Sequence, residues 1–205
     1  MDTWRLVATE RARLVSALAE LTDAEWQAPS LCRGWQARDV LAHIVSTAEM
    51  TPGRFLGGMV RNRFRFNEMV ARDIVAYSAG GTGALLPRLV ESITSTKHPP
   101  GPVDIMLLET VVHGEDIVFP LGRSIDHAVD ALVGAAEFGR TAQPLVGCRK
   151  RIAGLRLTAT DLDWSTGDGP DVTGPLNQLL LAMCGRKSVL PSLDGPGVAI
   201  LRARN

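Results

Sequence analysis

The hydrophobic period changes along this chain, and that change restricts its fold more than any other feature. Up to about residue 145, apolar side chains recur three and four positions apart, as one face of a helix requires: Leu14, Leu18 and Leu21, then Val40, Leu41, Ile44, Val45 and Ala48. Beyond Cys148 the period drops towards two at Ile152, Leu155, Leu157 and Leu162-Asp163-Trp164, among glycine-rich turns, as in half-buried strands. The expected fold class is α+β, with a helical domain over residues 1–145 and a small α+β domain over 146–205.

Local signals place the elements. The first helix runs from Leu6 and stops or restarts at Thr22-Asp23. After the turn-rich Pro29-Ser30-Leu31-Cys32-Arg33-Gly34, a second amphipathic helix carries His43 on its apolar side. A third is expected from Pro52 to about Tyr77, despite the polar Arg61, Arg63 and Arg65 in its middle, and a fourth over Leu85–Ile93 before His98-Pro99-Pro100. Ile105, Leu108, Val112 and Ile117 stripe a further helix, and Val129, Leu132, Val133 and Ala136 another. Pro175 opens a short helix through Met183, and Val198-Ala199-Ile200-Leu201 reads as a last strand.

Twenty-two basic and twenty-two acidic side chains cancel without segregation, which argues against nucleic acid or a membrane surface as a partner. The amino terminus has scattered charges where a secretory signal needs an apolar run, and no uncharged stretch approaches a membrane span. The three cysteines are odd in number and lack CxxC spacing, so they read as reduced thiols of a cytoplasmic protein. Cys32 and Cys184 are expected to be packing residues.

The chemistry concentrates in one helix. Glu109 and His113, at i and i+4, point the same way one turn apart and can grip one divalent ion. A third ligand must come from another element, and of the four histidines His43 is best placed. Two imidazoles and a carboxylate leave a coordination position open, as catalytic sites do. The competing reading is that His43 is a core histidine and the Glu/His pair a chance spacing. Asp116 could orient a ligating imidazole from behind, or cap the helix, or face solvent. Glu115 and Asp39 read as surface or cap charges, and His98 and His127 as loop or surface residues.

From Leu31 to Ile44 (LCRGWQARDVLAHI) the sequence resembles the mycothiol-dependent maleylpyruvate isomerase family, whose metal domain is a DinB-like four-helix bundle. Glu109 to Ile117 (ETVVHGEDI) matches that family's second block, and Gly185-Arg186 follows a leucine-rich helix much as in its carboxy-terminal domain. The resemblance spans nearly the whole chain. It implies that His43, Glu109 and His113 bind Zn2+ or a similar divalent metal, and that Arg186 is a catalytic arginine, against its alternative as a surface ion pair. Gln36, where relatives often carry a capping Ser or Thr, and Gly114, inside the metal helix, depart from the pattern without removing a ligand.

The resemblance further implies mycothiol as co-substrate, activated as thiolate to attack an electrophilic substrate for isomerisation or S-transfer. Two other classes are compatible with the same residues: a hydrolase that activates water at the metal, and a non-enzymatic metal- or ligand-binding bundle. Trp35 and Trp164 could line a pocket or pack in the core. The arginines from Arg54 to Arg72 are either a solvated helix face or the mouth of a site for an anionic thiol or acid.

Overall fold

The computed structural model describes residues 2–143 and 146–204. The chain divides into two compact units, Met1–His127 and Ala128–Asn205. The boundary expected near residue 145 falls on the segment 144–145, outside the described residues. The helix over Val129–Thr141, assigned from the sequence to the first domain, belongs to the second unit, where it packs against the helix Leu176–Met183. An apolar stripe demands burial but does not name its partner.

In the first unit, α1 (Thr3–Leu18) starts at the Asp2 side chain, which accepts the Trp4 N–H, and α2 (Asp23–Trp26) starts in a Thr22/Glu25 capping box. The α3 helix (Ala37–Ala48) begins where the Asp39 carboxylate accepts the Gln36 N–H at 2.9 Å, the cap role expected for Asp39. Then follow α4 (Pro52–Arg61), α5 (Phe66–Ser78), α6 (Gly81–Glu91) and α7 (Asp104–Val118). Four of these close a ring, with α1 against α7, α7 against α3, α3 against α6 and α6 against α1, while α5 packs on α3 and α6. Leu14, Leu18, Val40, Leu41, Val45, Leu85, Leu89 and Ile117 fill its centre. This is the four-helix bundle that the family resemblance implies.

The single helix expected from Pro52 to Tyr77 is two. Arg63 and Phe64 have φ of +53° and +60°, a left-handed turn that ends one helix and redirects the chain. The buried Asn62 holds the turn: its amide donates to the Gly58 carbonyl at 2.8 Å and accepts from Arg72 at 3.2 Å. Arg61, Arg63, Arg65 and Arg72 are exposed. Arg54 instead donates to the Tyr77 hydroxyl, which donates to Glu49, and Arg88 grips Glu49 with two hydrogen bonds of 2.7 and 2.8 Å. That fork holds the Glu49 carboxyl below its usual range.

In the second unit, α8 (Val129–Thr141) and α9 (Cys148–Ile152) precede a three-stranded sheet of β1 (Arg156–Ala159), β2 (Ser165–Thr166) and β3 (Asp171–Gly174), in the order β2-β1-β3. The β1 strand pairs antiparallel with β2, Leu157 opposite Thr166, and parallel with β3, Leu157 opposite Val172. The parallel pairing needs a crossover, and the chain between β1 and β3 supplies it through β2 and the turns around Gly167 and Gly169. The α10 helix (Leu176–Met183) buries Leu176, Leu179, Leu180 and Met183. The last strand expected at Val198–Leu201 is helical: α11 (Gly197–Arg204) buries Val198 and Leu201, three apart, which is a helical and not an alternating interval. Four apolar residues in a row satisfy either period, and only packing decides between them. No described helix is long and apolar enough to cross a membrane.

His127 and Glu115, expected at the surface, are buried. The His127 side chain is 4% exposed and lies between two carboxylates that are each 1% exposed: Nδ1 is 2.6 Å from Glu10 of α1 and Nε2 is 3.1 Å from Glu115 of α7. With a carboxylate at each nitrogen, both nitrogens are donors and the ring is an imidazolium. Burial opposes that charge, but the hydrogen bonds to Glu10 and Glu115 outweigh it and raise the His127 pKa to about 9. Gly114 lets this region close, since a Cβ there would lie 2.9 Å from Ile125 and 3.3 Å from Leu14. Because the folded pKa lies above the ordinary value of 6.5, the stabilisation is complete below about pH 6.5 and is lost as pH rises through about 9. Urea unfolding from pH 6 to 10 is therefore expected to show a decline of up to about 3 kcal/mol in the wild type. The His127→Gln variant should start less stable and lack that decline; parallel curves for the two proteins would contradict the charged clamp.

Candidate metal centre

His43 reaches the site because α3 is buried on most of its circumference, with Val40, Leu41, Ile44 and Val45 anchoring it on either side of the imidazole. Glu109 and His113 stand one turn apart on α7, whose neighbours Leu108, Val112 and Ile117 are buried. The structure brings these three residues together. His43 Nε2 is 3.5 Å from Glu109 Oε2, and His113 Nε2 is 4.0 Å from Glu109 Oε1. The two imidazoles meet edge to face with centroids 4.9 Å apart, and the Trp35 ring centroid lies 5.3 Å from that of His43. One donor atom from each of the three lies within 4.8 Å of the others. Their side chains are 11%, 27% and 14% exposed for His43, Glu109 and His113, so the group is sheltered but open to a small molecule.

Asp116 settles the orientation of His113. It is fully buried, and its Oδ2 lies 2.8 Å from His113 Nδ1. A carboxylate only accepts, so Nδ1 carries the proton, which leaves Nε2, 4.0 Å from Glu109 Oε1, as the lone-pair nitrogen of the neutral ring. Of the roles open to Asp116 in the sequence, cap, solvent-facing charge or orienting group, the last describes its position.

Cys32 also donates to Asp116 Oδ2, at 3.1 Å, and its sulfur is 3.7 Å from His113 Nδ1. Expected as a packing residue, it is half-buried and takes part in the polar network. The loop that carries it is fixed to α7 by the Leu31 N–H, which donates to the Asp116 carbonyl at 3.0 Å, and is closed by the Ser30 N–H to the Trp35 carbonyl at 2.9 Å. Cys32, His113 and Asp116 thus form a second group of possible metal donors. Their spacing, 2.8 and 3.1 Å to one carboxylate oxygen, is that of hydrogen bonds to a shared acceptor.

Arg11 is a neighbour that the sequence reading passed over. It is buried on the inner face of α1 with Val7, Leu14 and Leu18, and donates to the Ser92 and Ser95 carbonyls at 2.6 and 2.9 Å. Burial lowers its pKa to about 10. Arg11 borders a small cavity with Glu109, Ile44, Thr47, Met106 and Thr110. An arginine three and four residues from buried leucine and valine is a legible signal, because arginine is rarely buried without partners. Arg186 belongs to the second unit, where its Nη1 donates to the Cys184 carbonyl at 2.7 Å. Trp164 is core there, its indole N–H donating to Glu137 at 2.8 Å.

Comparison with known proteins relates part of the sequence to a family and the fold to a solved structure. Residues 7–98, which contain most of α1 together with Cys32 and His43, match the family described as the mycothiol maleylpyruvate isomerase N-terminal domain. That segment belongs to this family. The crystal structure of a mycothiol-dependent maleylpyruvate isomerase is similar to the chain with a TM-score of 0.65 and 16% identity, over 95% of this chain and 91% of that one. A histidine-to-alanine mutant of the isomerase gives a TM-score of 0.62 and 15% identity over the same shares. Identities this low establish a common fold, which extends beyond the family domain into the second unit. A comparison with curated proteins finds no match.

Within the family domain and α7, the orienting role of Asp116 has a measurable consequence. Asp116→Asn keeps the size of the side chain but not its charge, and is expected to weaken divalent-metal binding about 10- to 100-fold in chelator competition. Circular dichroism should remain that of the wild type. An unchanged affinity would remove Asp116 from the site.

Proposed function

We propose that this chain is a metal-dependent enzyme that uses a low-molecular-weight thiol, mycothiol by its family resemblance, as the nucleophile in isomerisation of, or S-transfer to, an electrophilic small molecule. The observation that carries the proposal is the convergence of His43, Glu109 and His113 from two helices, partly exposed, with Asp116 behind one imidazole. That donor set fits a divalent ion of zinc's preference: two neutral imidazoles and one carboxylate, with a sheltered approach for a further ligand. When bound, the ion would supply a positive centre that lowers the pKa of a thiol, so that thiolate is present at neutral pH.

The protein's own groups have defined parts in this reading. Asp116 keeps the proton of His113 on Nδ1, so that Nε2 remains a donor of electron density. Glu109 is the carboxylate member of the set, and Arg11 lines the same small cavity. Trp35 packs against the His43 ring at 5.3 Å between centroids. Arg186 is proposed to hold a carboxylate of the substrate through its planar fork, as the resemblance implies. A cytoplasmic setting, where reduced thiols persist, goes with this chemistry.

The deciding experiment is elemental analysis of the purified protein beside a His43→Ala, Glu109→Ala, His113→Ala triple variant, followed by thermal shift of the metal-loaded wild type with mycothiol. About one zinc per chain in the wild type, its loss in the variant, and a rise in Tm with the thiol are the expected results. Absence of metal after reconstitution would overturn the proposal. Turnover of an electrophile that needs no added thiol would shift it to a hydrolase.

A further inference from the structure

Two cysteines outside the proposed site face each other in the second unit. Cys148 opens α9 and Cys184 caps the C-terminus of α10; both are buried, and their sulfurs are 3.5 Å apart although 36 residues separate them in sequence. All three cysteines of the chain are thiols in this structure. The surroundings of the pair are built, and they are cationic. Arg151 donates through Nη1 to the Met183 carbonyl at the end of α10 and to the Val146 carbonyl at 3.3 Å, which fixes its guanidinium beside the cysteines. Gly185, with φ of +93°, makes that approach possible, because a Cβ there would lie 3.1 Å from the Arg151 guanidinium. Arg186 follows directly and donates to the Cys184 carbonyl.

These neighbours favour a thiolate. The hydrogen bond with Cys184, and then the charges of Arg151 and Arg186, outweigh burial and hold the Cys148 thiol below its ordinary range. A disulfide needs the sulfurs to approach to about 2 Å, a change within reach of side-chain torsions when they already stand in contact.

We propose that Cys148 and Cys184 are an oxidisable pair that closes to an intrachain disulfide on reaction with a hydroperoxide. The Cys148 thiolate attacks one peroxide oxygen and the O–O bond breaks; with hydrogen peroxide, the other oxygen leaves as hydroxide and takes a proton to become water, and Cys148 becomes a sulfenic acid. The Cys184 sulfur then attacks the Cys148 sulfur. The S–S bond forms, the S–O bond breaks, and the hydroxyl leaves with the Cys184 proton as a second water. Two thiols lose two electrons, and one hydrogen peroxide is reduced to two waters. A dithiol reductant reverses the change by exchange. The bond ties the first turn of α9 to the end of α10, next to the Gly185-Arg186 turn, and makes the mobility of that turn depend on redox state. The proposal does not depend on metal or thiol binding in the first unit.

The test is intact-mass spectrometry and thiol counting on the folded Cys32→Ser protein, before and after a modest excess of hydrogen peroxide. The expected result is a mass loss of about 2 Da, disappearance of both remaining thiols, a non-reduced proteolytic fragment joining the Cys148 and Cys184 peptides, and full recovery with dithiothreitol. The Cys32→Ser, Cys184→Ser protein should instead gain about 16 Da or cross-link between chains. Thiols that persist in the folded Cys32→Ser protein, a gain of oxygen in place of the 2 Da loss, or cross-linking between chains would each overturn the proposal.

Discussion

Charge buried in α7 is the constraint around which the first unit is organised. This helix is covered on nearly every side, with Met106, Leu107, Leu108, Val111, Val112, Ile117 and Val118 buried, yet it also carries Glu115 and Asp116 in the interior and Glu109 and His113 at its margin. A buried carboxylate without partners costs several kcal/mol. Each therefore has to be met by a donor from another part of the chain or of the helix, and those partners determine how neighbouring segments lie.

The two directions of matching serve different ends. Glu115 is rotated by about 200° from His113 around the helix axis and meets His127, whose second nitrogen meets Glu10 of α1. That side joins α7 to α1 and to the segment leading out of the unit. Asp116 meets His113 and the Cys32 thiol, and its backbone carbonyl receives Leu31. This side fixes the loop before α3 and, through it, the helix that carries His43. One helix thus supports the bundle from one side and orders the candidate centre on the other.

Much of this arrangement was readable. Helical spacing located α1, α3, α6, α7, α8 and α10, and the i, i+4 interval of Glu109 and His113 placed both on one face of α7, because these are properties of a single regular segment. The break at Arg63-Phe64 was not readable, since its left-handed turn uses residues that seldom adopt one and is held by Asn62, which bonds back to Gly58 of α4 and across to Arg72 of α5. Nor was the helical state of Val198–Leu201, where a continuous apolar run fits both periods. His127 and Glu115 were misplaced for a related reason: a charged residue near a helix end resembles a surface residue until an opposite charge from a distant segment is known to meet it.

By itself the sequence determined which residues could share a face, which segments of clear three-and-four spacing had to be helical, and which side chains had the chemistry to bind a divalent ion. Tertiary structure alone decided that His43 faces Glu109 across two helices, that Cys32 and His113 share one oxygen of Asp116, that Arg11 lines a cavity with Glu109, and that Cys148 meets Cys184. The physical reason is range. Backbone periodicity is a local property with a repeat of a few residues, whereas the partner of a buried charge or thiol is selected by packing among segments 36 to more than 100 residues apart.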